Sequence, residues 1–102
     1  LVAAFNALLN AYGRLREMEK VAELVEKMKS LGANWDRMTY NTLVDVHLKA
    51  GDTDRALEIY NSMKARKMEP DPFIITSFIH AYGRSGRLRK AVDFYGQMRE
   101  AG

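Results

Sequence analysis

The sequence repeats itself with a period of 35 residues, and this period limits the chain to folds built from stacked copies of one unit. Residue types that recur at this spacing include Met28, Met63 and Met98, and the cations Arg14, Lys49 and Arg84. The tetrapeptide at residues 11–14, Ala-Tyr-Gly-Arg, returns unchanged at 81–84, which is two periods later. We therefore divide the chain into units 2–36 and 37–71 and an unfinished third unit, 72–102.

Each unit carries two apolar stripes at the i, i+3, i+4, i+7 spacing of a helix, such as residues 5–12 and 21–28 in the first unit. The alternation typical of strands is absent from the sequence, so each unit is predicted to be a helical hairpin. Gly51 and Gly86 fall between the two stripes, where a helix end needs a left-handed residue, whereas the first unit has Arg16 there. Asp71 followed by Pro72 is typical of a helix start.

One hairpin cannot bury its own apolar stripes, so the units must stack. The prediction is an all-α protein, a right-handed α-solenoid of stacked helix-turn-helix hairpins that forms a single domain over residues 1–102, with its functional surface on the concave side. A composition of 47% hydrophobic and 28% charged residues is sufficient for a core of this kind. Because the third unit is incomplete, we expect the chain to be part of a longer array.

Several classes of function are excluded by what the sequence lacks. It has no cysteine, and His47 and His80 have no partner ligands at suitable spacing, so no metal site is predicted. No apolar run approaches the roughly 20 residues of a membrane-spanning helix, so no membrane partner is expected. No nucleophile with a base, glycine-rich phosphate loop or paired carboxylates can be assembled. We therefore predict no enzyme, no cofactor and no small-molecule substrate.

Five strings in the second unit and at its end carry a family resemblance, and similar strings recur in the other units. They are Met38-Thr39-Tyr40-Asn41-Thr42-Leu43-Val44-Asp45, Lys49-Ala50-Gly51-Asp52, Ala56-Leu57-Glu58-Ile59-Tyr60, Ser62-Met63-Lys64 and Pro70-Asp71. In these strings the chain resembles the pentatricopeptide repeat family, in its pure 35-residue form. It departs from the family pattern at Trp35, where a proline is usual, and at the first hairpin turn, which lacks glycine.

The resemblance implies sequence-specific binding of single-stranded RNA in a chloroplast or mitochondrion, with one base read per repeat in the 5′ to 3′ direction. Transferred residue by residue, it implies base-reading roles for Asn6, Asp36, Asn41, Asp71 and Thr76. It implies that Ala3, Met38 and Phe73 wedge the bases, and that Arg14, Lys49 and Arg84 contact phosphates. The family's code then gives 5′-U-U-purine-3′ as the target. Other subunits of an organellar RNA–protein complex are further candidate partners.

The same residues also have purely structural interpretations. Asp36 and Asp71 would serve as helix N-caps in a protein that binds nothing, and cations at helix ends interact with the helix dipole. For Asn6 and Asn41 the functional interpretation is favoured over the structural one, because asparagine is a poor helix former and yet recurs inside a predicted helix. The alternative function is a helical scaffold, or a structural subunit of an organellar ribonucleoprotein, that holds protein partners without reading bases.

Overall fold

The computed structural model describes residues 1–101, and over this range it contains six α-helices and no strand. The helices are α1 (Val2–Arg14), α2 (Met18–Ser30), α3 (Arg37–Lys49), α4 (Thr53–Ala65), α5 (Pro72–Arg84) and α6 (Leu88–Ala101). They pair in chain order as three hairpins, which confirms the predicted all-α class of stacked helical hairpins. The predicted end of the third unit, Gly102, lies outside the described residues.

Aspartates start three of these helices by capping free backbone N–H groups. Asp36 and Thr39 form a capping box, in which each side chain accepts a hydrogen bond from the backbone of the other residue. The Asp52 carboxylate accepts from the backbone N–H of Arg55, and that of Asp71 accepts from the N–H of Phe73. The predicted capping role of Asp36 and Asp71 is therefore confirmed.

The turn inside each hairpin closes through one residue in the left-handed region. Gly51 and Gly86 have φ values of 86° and 78°, and Arg16 has φ 58° at the same place in the first hairpin. A left-handed backbone costs a non-glycine residue about 1 kcal/mol. Arg16 is held in place by its guanidinium, which donates to the carbonyl of Lys49, 2.7 Å away, at the end of α3.

The first helices of the three hairpins form one continuous layer, with α1 packed on α3 and α3 packed on α5. The second helices are farther apart. Within the described residues, α2 and α4, like α4 and α6, bring no Cα atoms within 8 Å of each other. Closer packing of one layer bends a stack toward that layer, so α1, α3 and α5 provide the inner surface of this solenoid.

The core runs between the two layers and contains a cluster of aromatic rings at the junction of α4, α5 and α6. Phe78 stacks on Phe94 with ring centroids 4.5 Å apart, and Tyr60 packs edge-on against Phe78 at 5.2 Å. Of the recurring methionines, Met28 and Met63 are fully buried, as expected of core residues, but Met98 is exposed. Met98 lies on α6, against which no further hairpin packs in the described part of the chain.

One close backbone approach joins the first two hairpins. Gly13 of α1 is buried against Val46 of α3, and a Cβ atom on Gly13 would overlap with Cγ2 of Val46. The corresponding residues of the next junction, 35 positions later, are Leu48 and Ala81, both buried. At these corresponding places one helix of each pair carries a small residue and the other a large one, in opposite order at the two junctions. No helix among residues 1–101 is both long and apolar enough for a bilayer crossing.

Candidate nucleic-acid interface

An open groove of about 640 Å³ crosses the inner surface formed by α1, α3 and α5. Its lining comprises Asn6, Ala7, Asn10, Arg37, Met38, Asn41, Thr42, Asp45, Asp71, Phe73 and Ile74. Five of the residues predicted to bind RNA are in this set, contributed by three hairpins. The fold therefore brings together side chains that lie up to 67 positions apart in the sequence.

Two large apolar side chains of this groove face solvent. Met38 of α3 is 63% exposed and Phe73 of α5 is 60% exposed, although both types are usually buried. They lie at the second position of their helices, 35 residues apart, and Ala3 at the same place in α1 is also exposed. Exposed apolar side chains at one recurring place offer flat surfaces against which a planar ring can pack.

Asn6 is buried, with only 4% of its surface exposed, and its amide is hydrogen-bonded at both ends. Its Nδ2 donates to Oδ1 of Asp36, 3.1 Å away, and its Oδ1 lies 2.6 Å from the hydroxyl of Thr39. The two residues predicted to read the first base are therefore in direct contact, across the junction between the first and second hairpins.

Asn41 and Asp71 are also in contact, but through different atoms. The Oδ1 atom of Asn41 accepts a hydrogen bond from the backbone N–H of Asp71 at 3.2 Å. The Asp71 carboxylate meanwhile accepts from the backbone N–H of Phe73 at 3.0 Å. Asn41 is half-buried, so this second pair is more open to the groove than the first.

The hydrogen bonds around Asp36 lower the pKa of its carboxyl below the ordinary value of 3.8. The largest cause is the backbone N–H of Thr39, which lies 2.9 Å from Oδ1 of Asp36. The Thr39 hydroxyl and the Asn6 amide add to this effect, and partial burial of Asp36 opposes it. The contacts with Thr39 and Asn6 therefore favour the charged form of the Asp36 carboxyl.

This lowered pKa predicts a pH dependence of stability. Because the pKa of Asp36 is lower in the folded chain than in the unfolded one, its stabilising effect is complete above the unfolded value and is lost as the pH falls through the folded value. We expect Asp36→Asn, which retains a good N-cap, to weaken the acid-induced loss of stability below about pH 4. Urea denaturation at a series of pH values tests this, and an identical acid profile in the two proteins would contradict it.

Thr76, the predicted third base-reading residue, is exposed on α5 and lines a second open groove of about 790 Å³. Phe73 and Pro72 border the same groove, together with Gln97 and Met98 of α6. Phe73 therefore lies between the two grooves and borders both.

The three predicted phosphate contacts Arg14, Lys49 and Arg84 are the last residues of α1, α3 and α5. All three are exposed, and they lie outside the lining of the two grooves. The ammonium group of Lys49 is 3.0 Å from a carboxylate oxygen of Asp45, which borders the groove. Lys49 is exposed and Asp45 is half-buried. An ion pair at the surface contributes little to stability, so Lys49 can leave Asp45 for another anion at small cost.

Reasoning from the sequence overlooked the contribution of Thr39 to the first pair. Thr39 is completely buried, and its hydroxyl lies within hydrogen-bonding distance of both Asn6 and Asp36. The available signal was its position three residues after the Asp36 cap, at the N3 place of a capping box. Within residues 1–101, no cluster of three or more histidine, cysteine or acidic side chains is arranged to hold a metal ion.

Comparison with known proteins gives matches along the whole chain. A family model described as the PPR repeat family matches residues 2–46 and 35–73, and the PPR repeat model matches residues 73–102. Two pentatricopeptide repeat-containing proteins of Arabidopsis thaliana match over 45 residues, which is 44% of this chain, at 44% and 40% identity. The second of them is named as chloroplastic. The matches cover only 5% and 6% of the length of these relatives.

Solved structures of the maize pentatricopeptide repeat protein PPR10 are similar over 100% of this chain and 14–15% of theirs. The crystal structure of PPR10 in complex with an 18-nucleotide psaJ RNA element has a TM-score of 0.85 at 29% identity. Another crystal structure of PPR10 has a TM-score of 0.75 at 26% identity. The stacked hairpins, the recurring place of the groove residues and the family matches along the chain lead to one conclusion: this chain belongs to the PPR repeat family.

Proposed function

We propose that this chain binds single-stranded RNA in a sequence-specific manner, with one base for each repeat and the order 5′-U-U-purine-3′. The repeats are residues 2–36, 37–71 and an incomplete one at 72–102. The chain acts without catalysis, as a segment of a longer array in organellar RNA processing, splicing, stabilisation or translation. The crystal structure of PPR10 with RNA, to which this chain is similar along its full length, supports RNA as the ligand.

One observation carries this proposal: the exposed side chains of Met38 and Phe73 line the same groove as the Asn41–Asp71 pair. In the sequence, Met38 comes before this pair and Phe73 comes after it. A base inserted between the two apolar side chains would be held by its faces, as bases commonly are on aromatic and apolar groups. Its edge would then meet Asn41, whose amide offers both a donor and an acceptor. In the same way Ala3 and Met38 would hold the base that Asn6 reads.

The backbone of the RNA would follow the row of cations Arg14, Lys49 and Arg84. These residues recur once per repeat, so their number matches one phosphate for each base. With a formal net charge of only +3, the chain lacks the large basic excess of proteins that bind nucleic acid by charge alone. Recognition would therefore depend on the bases more than on the phosphates. The chloroplastic name of one relative supports an organellar location.

Exchange of the base-reading residue tests the proposal. We expect Asn41→Thr to change the preference at the second base from U toward G by about tenfold, the discrimination that a pair of edge contacts provides. Asn6→Thr should act in the same way at the first base. The measurement is a titration of the chain, followed by NMR, with short single-stranded RNAs that differ at one position.

Asn10→Thr is the matched control, because Asn10 borders the same groove but does not occupy the base-reading place. It should leave the base preference unchanged. If the unaltered chain binds all four bases equally at both positions, or binds no RNA at all, the proposal fails and the protein scaffold becomes the better interpretation.

A further inference from the structure

The two asparagine–aspartate pairs have the same residue types but different hydrogen bonds. In the first pair, Asn6 presents its Nδ2 to Asp36, which accepts the hydrogen bond through its carboxylate at 3.1 Å. In the second pair, Asn41 presents its Oδ1 to the backbone N–H of Asp71 at 3.2 Å. The asparagine amide is therefore turned in opposite directions relative to its partner. Two sites with identical readers would then present different atoms to a base.

The residue that differs between the two sites is the third one of the following helix. At the first site this is Thr39, and at the second site the same place, 35 residues later, is taken by Ile74. Both are buried. The Thr39 hydroxyl lies 2.6 Å from Oδ1 of Asn6 and 2.8 Å from Oδ1 of Asp36. Ile74 borders the groove beside Asn41 but has no polar atom in its side chain.

We propose that Thr39 is a positioning residue, which fixes the amide orientation of Asn6 and thereby strengthens the preference for uracil over cytosine at the first base. Its hydroxyl has one proton and two acceptors within reach. Before RNA binds, this proton is shared between Oδ1 of Asn6 and Oδ1 of Asp36, and Nδ2 of Asn6 stays on Asp36. The inference rests on the proposed function and names a determinant of specificity within it.

On binding, the Thr39 proton can turn to Asp36 and leave Oδ1 of Asn6 free to accept from a base. Uracil carries a ring N–H at the matching edge, whereas cytosine has an unprotonated ring nitrogen there, which would face the Asn6 oxygen as a second acceptor. Thr39 keeps a hydrogen bond throughout, so no buried polar group is left unsatisfied. This change of hydrogen-bond acceptor by Thr39 therefore favours uracil at the first site.

The second site lacks this additional contribution to the preference for uracil. There the backbone N–H of Asp71 occupies Oδ1 of Asn41, and the amide atom available to a base is Nδ2. An N–H donor can serve a carbonyl oxygen of uracil or the ring nitrogen of cytosine. We therefore expect the ratio of uracil to cytosine affinity to be higher at the first base than at the second.

Two reciprocal substitutions test the inference, with the ratio of uracil to cytosine affinity at each base as the measured quantity. Thr39→Val should lower this ratio at the first base by about fivefold, the effect of one neutral hydrogen bond, and should leave the second base unchanged. Thr39→Ser, which keeps the hydroxyl, should restore it. Ile74→Thr should raise the ratio at the second base by about the same factor.

A second measurement uses the chain without RNA. The side-chain amide protons of Asn6 should exchange with water more slowly than those of Asn41, and Thr39→Val, by letting the Asn6 amide turn, should reduce the difference. Equal exchange in the unaltered chain would overturn the inference. An unchanged base preference in Thr39→Val, with RNA still bound, would overturn the inference alone, whereas failure of the unaltered chain to bind RNA would overturn the proposed function with it.

Discussion

Phe78→Ala is expected to destabilise the chain by about 3–5 kcal/mol, the usual cost of removing a fully buried aromatic ring. Phe78 is completely buried and is at the centre of the aromatic cluster, stacked on Phe94 at 4.5 Å and in edge contact with Tyr60 at 5.2 Å. The loss would affect α4, α5 and α6 together. Since a domain of this size is stable by about 5–15 kcal/mol in total, urea denaturation followed by circular dichroism should detect it easily.

Phe73→Ala on the same helix is the matched control. Phe73 is 60% exposed, so its removal should change the free energy of unfolding by no more than about 0.5 kcal/mol. It should instead weaken RNA binding by about tenfold, through the loss of one stacked base. If the two phenylalanine substitutions cost equal stability, the described packing of α5 would be incorrect.

Gly13→Ala is expected to destabilise the chain by about 1–3 kcal/mol, which is typical of overpacking in a core. A Cβ atom at this position would overlap with Cγ2 of Val46, so α1 and α3 would have to move apart. This cost outweighs the gain of about 0.5–1 kcal/mol that alanine normally brings over glycine in a helix.

Gly83→Ala is expected to have the opposite effect on stability, although the local sequence is identical. Gly83 occupies the same place in the second Ala-Tyr-Gly-Arg segment, but a Cβ atom there would have no neighbour within 4 Å. The substitution should therefore stabilise α5 by about 0.5–1 kcal/mol. Thermal denaturation of the two variants measures the change in stability that each substitution causes. Stability changes of the same sign at Gly13 and Gly83 would contradict the prediction.

The 35-residue period was sufficient to predict the helical hairpins, because each helix repeats its own apolar spacing and its own end signals. The left-handed turns at Gly51 and Gly86 could be predicted in the same way. The first turn could not, because Arg16 adopts that conformation with the help of a hydrogen bond to the carbonyl of Lys49 in another hairpin. Such a contact between distant residues leaves no trace in the local pattern.

The candidate site was predicted as a set of residues but not as a set of interactions. The pattern treated Asn6 and Asn41 as equivalent readers, since both take the fifth place of their units. Their different hydrogen bonds depend on whether the facing residue is Thr39 or Ile74, which belongs to the next hairpin. Aligning the units with one another shows which residue types recur at each position. It does not indicate which side chains are in contact across a junction.

The alternating small and large residues at the two junctions limit how such an array can be recombined. Tandem duplication of residues 37–71 would bring two large residues, Leu48 and a copy of Val46, to the corresponding places of one junction, where overpacking is expected. Duplication of residues 2–36 would instead set Gly13 opposite a copy of Ala11 and leave a void. Transplanting one unit into a designed array therefore requires a matching change in the adjoining unit, even though each unit has the same length and the same two helices.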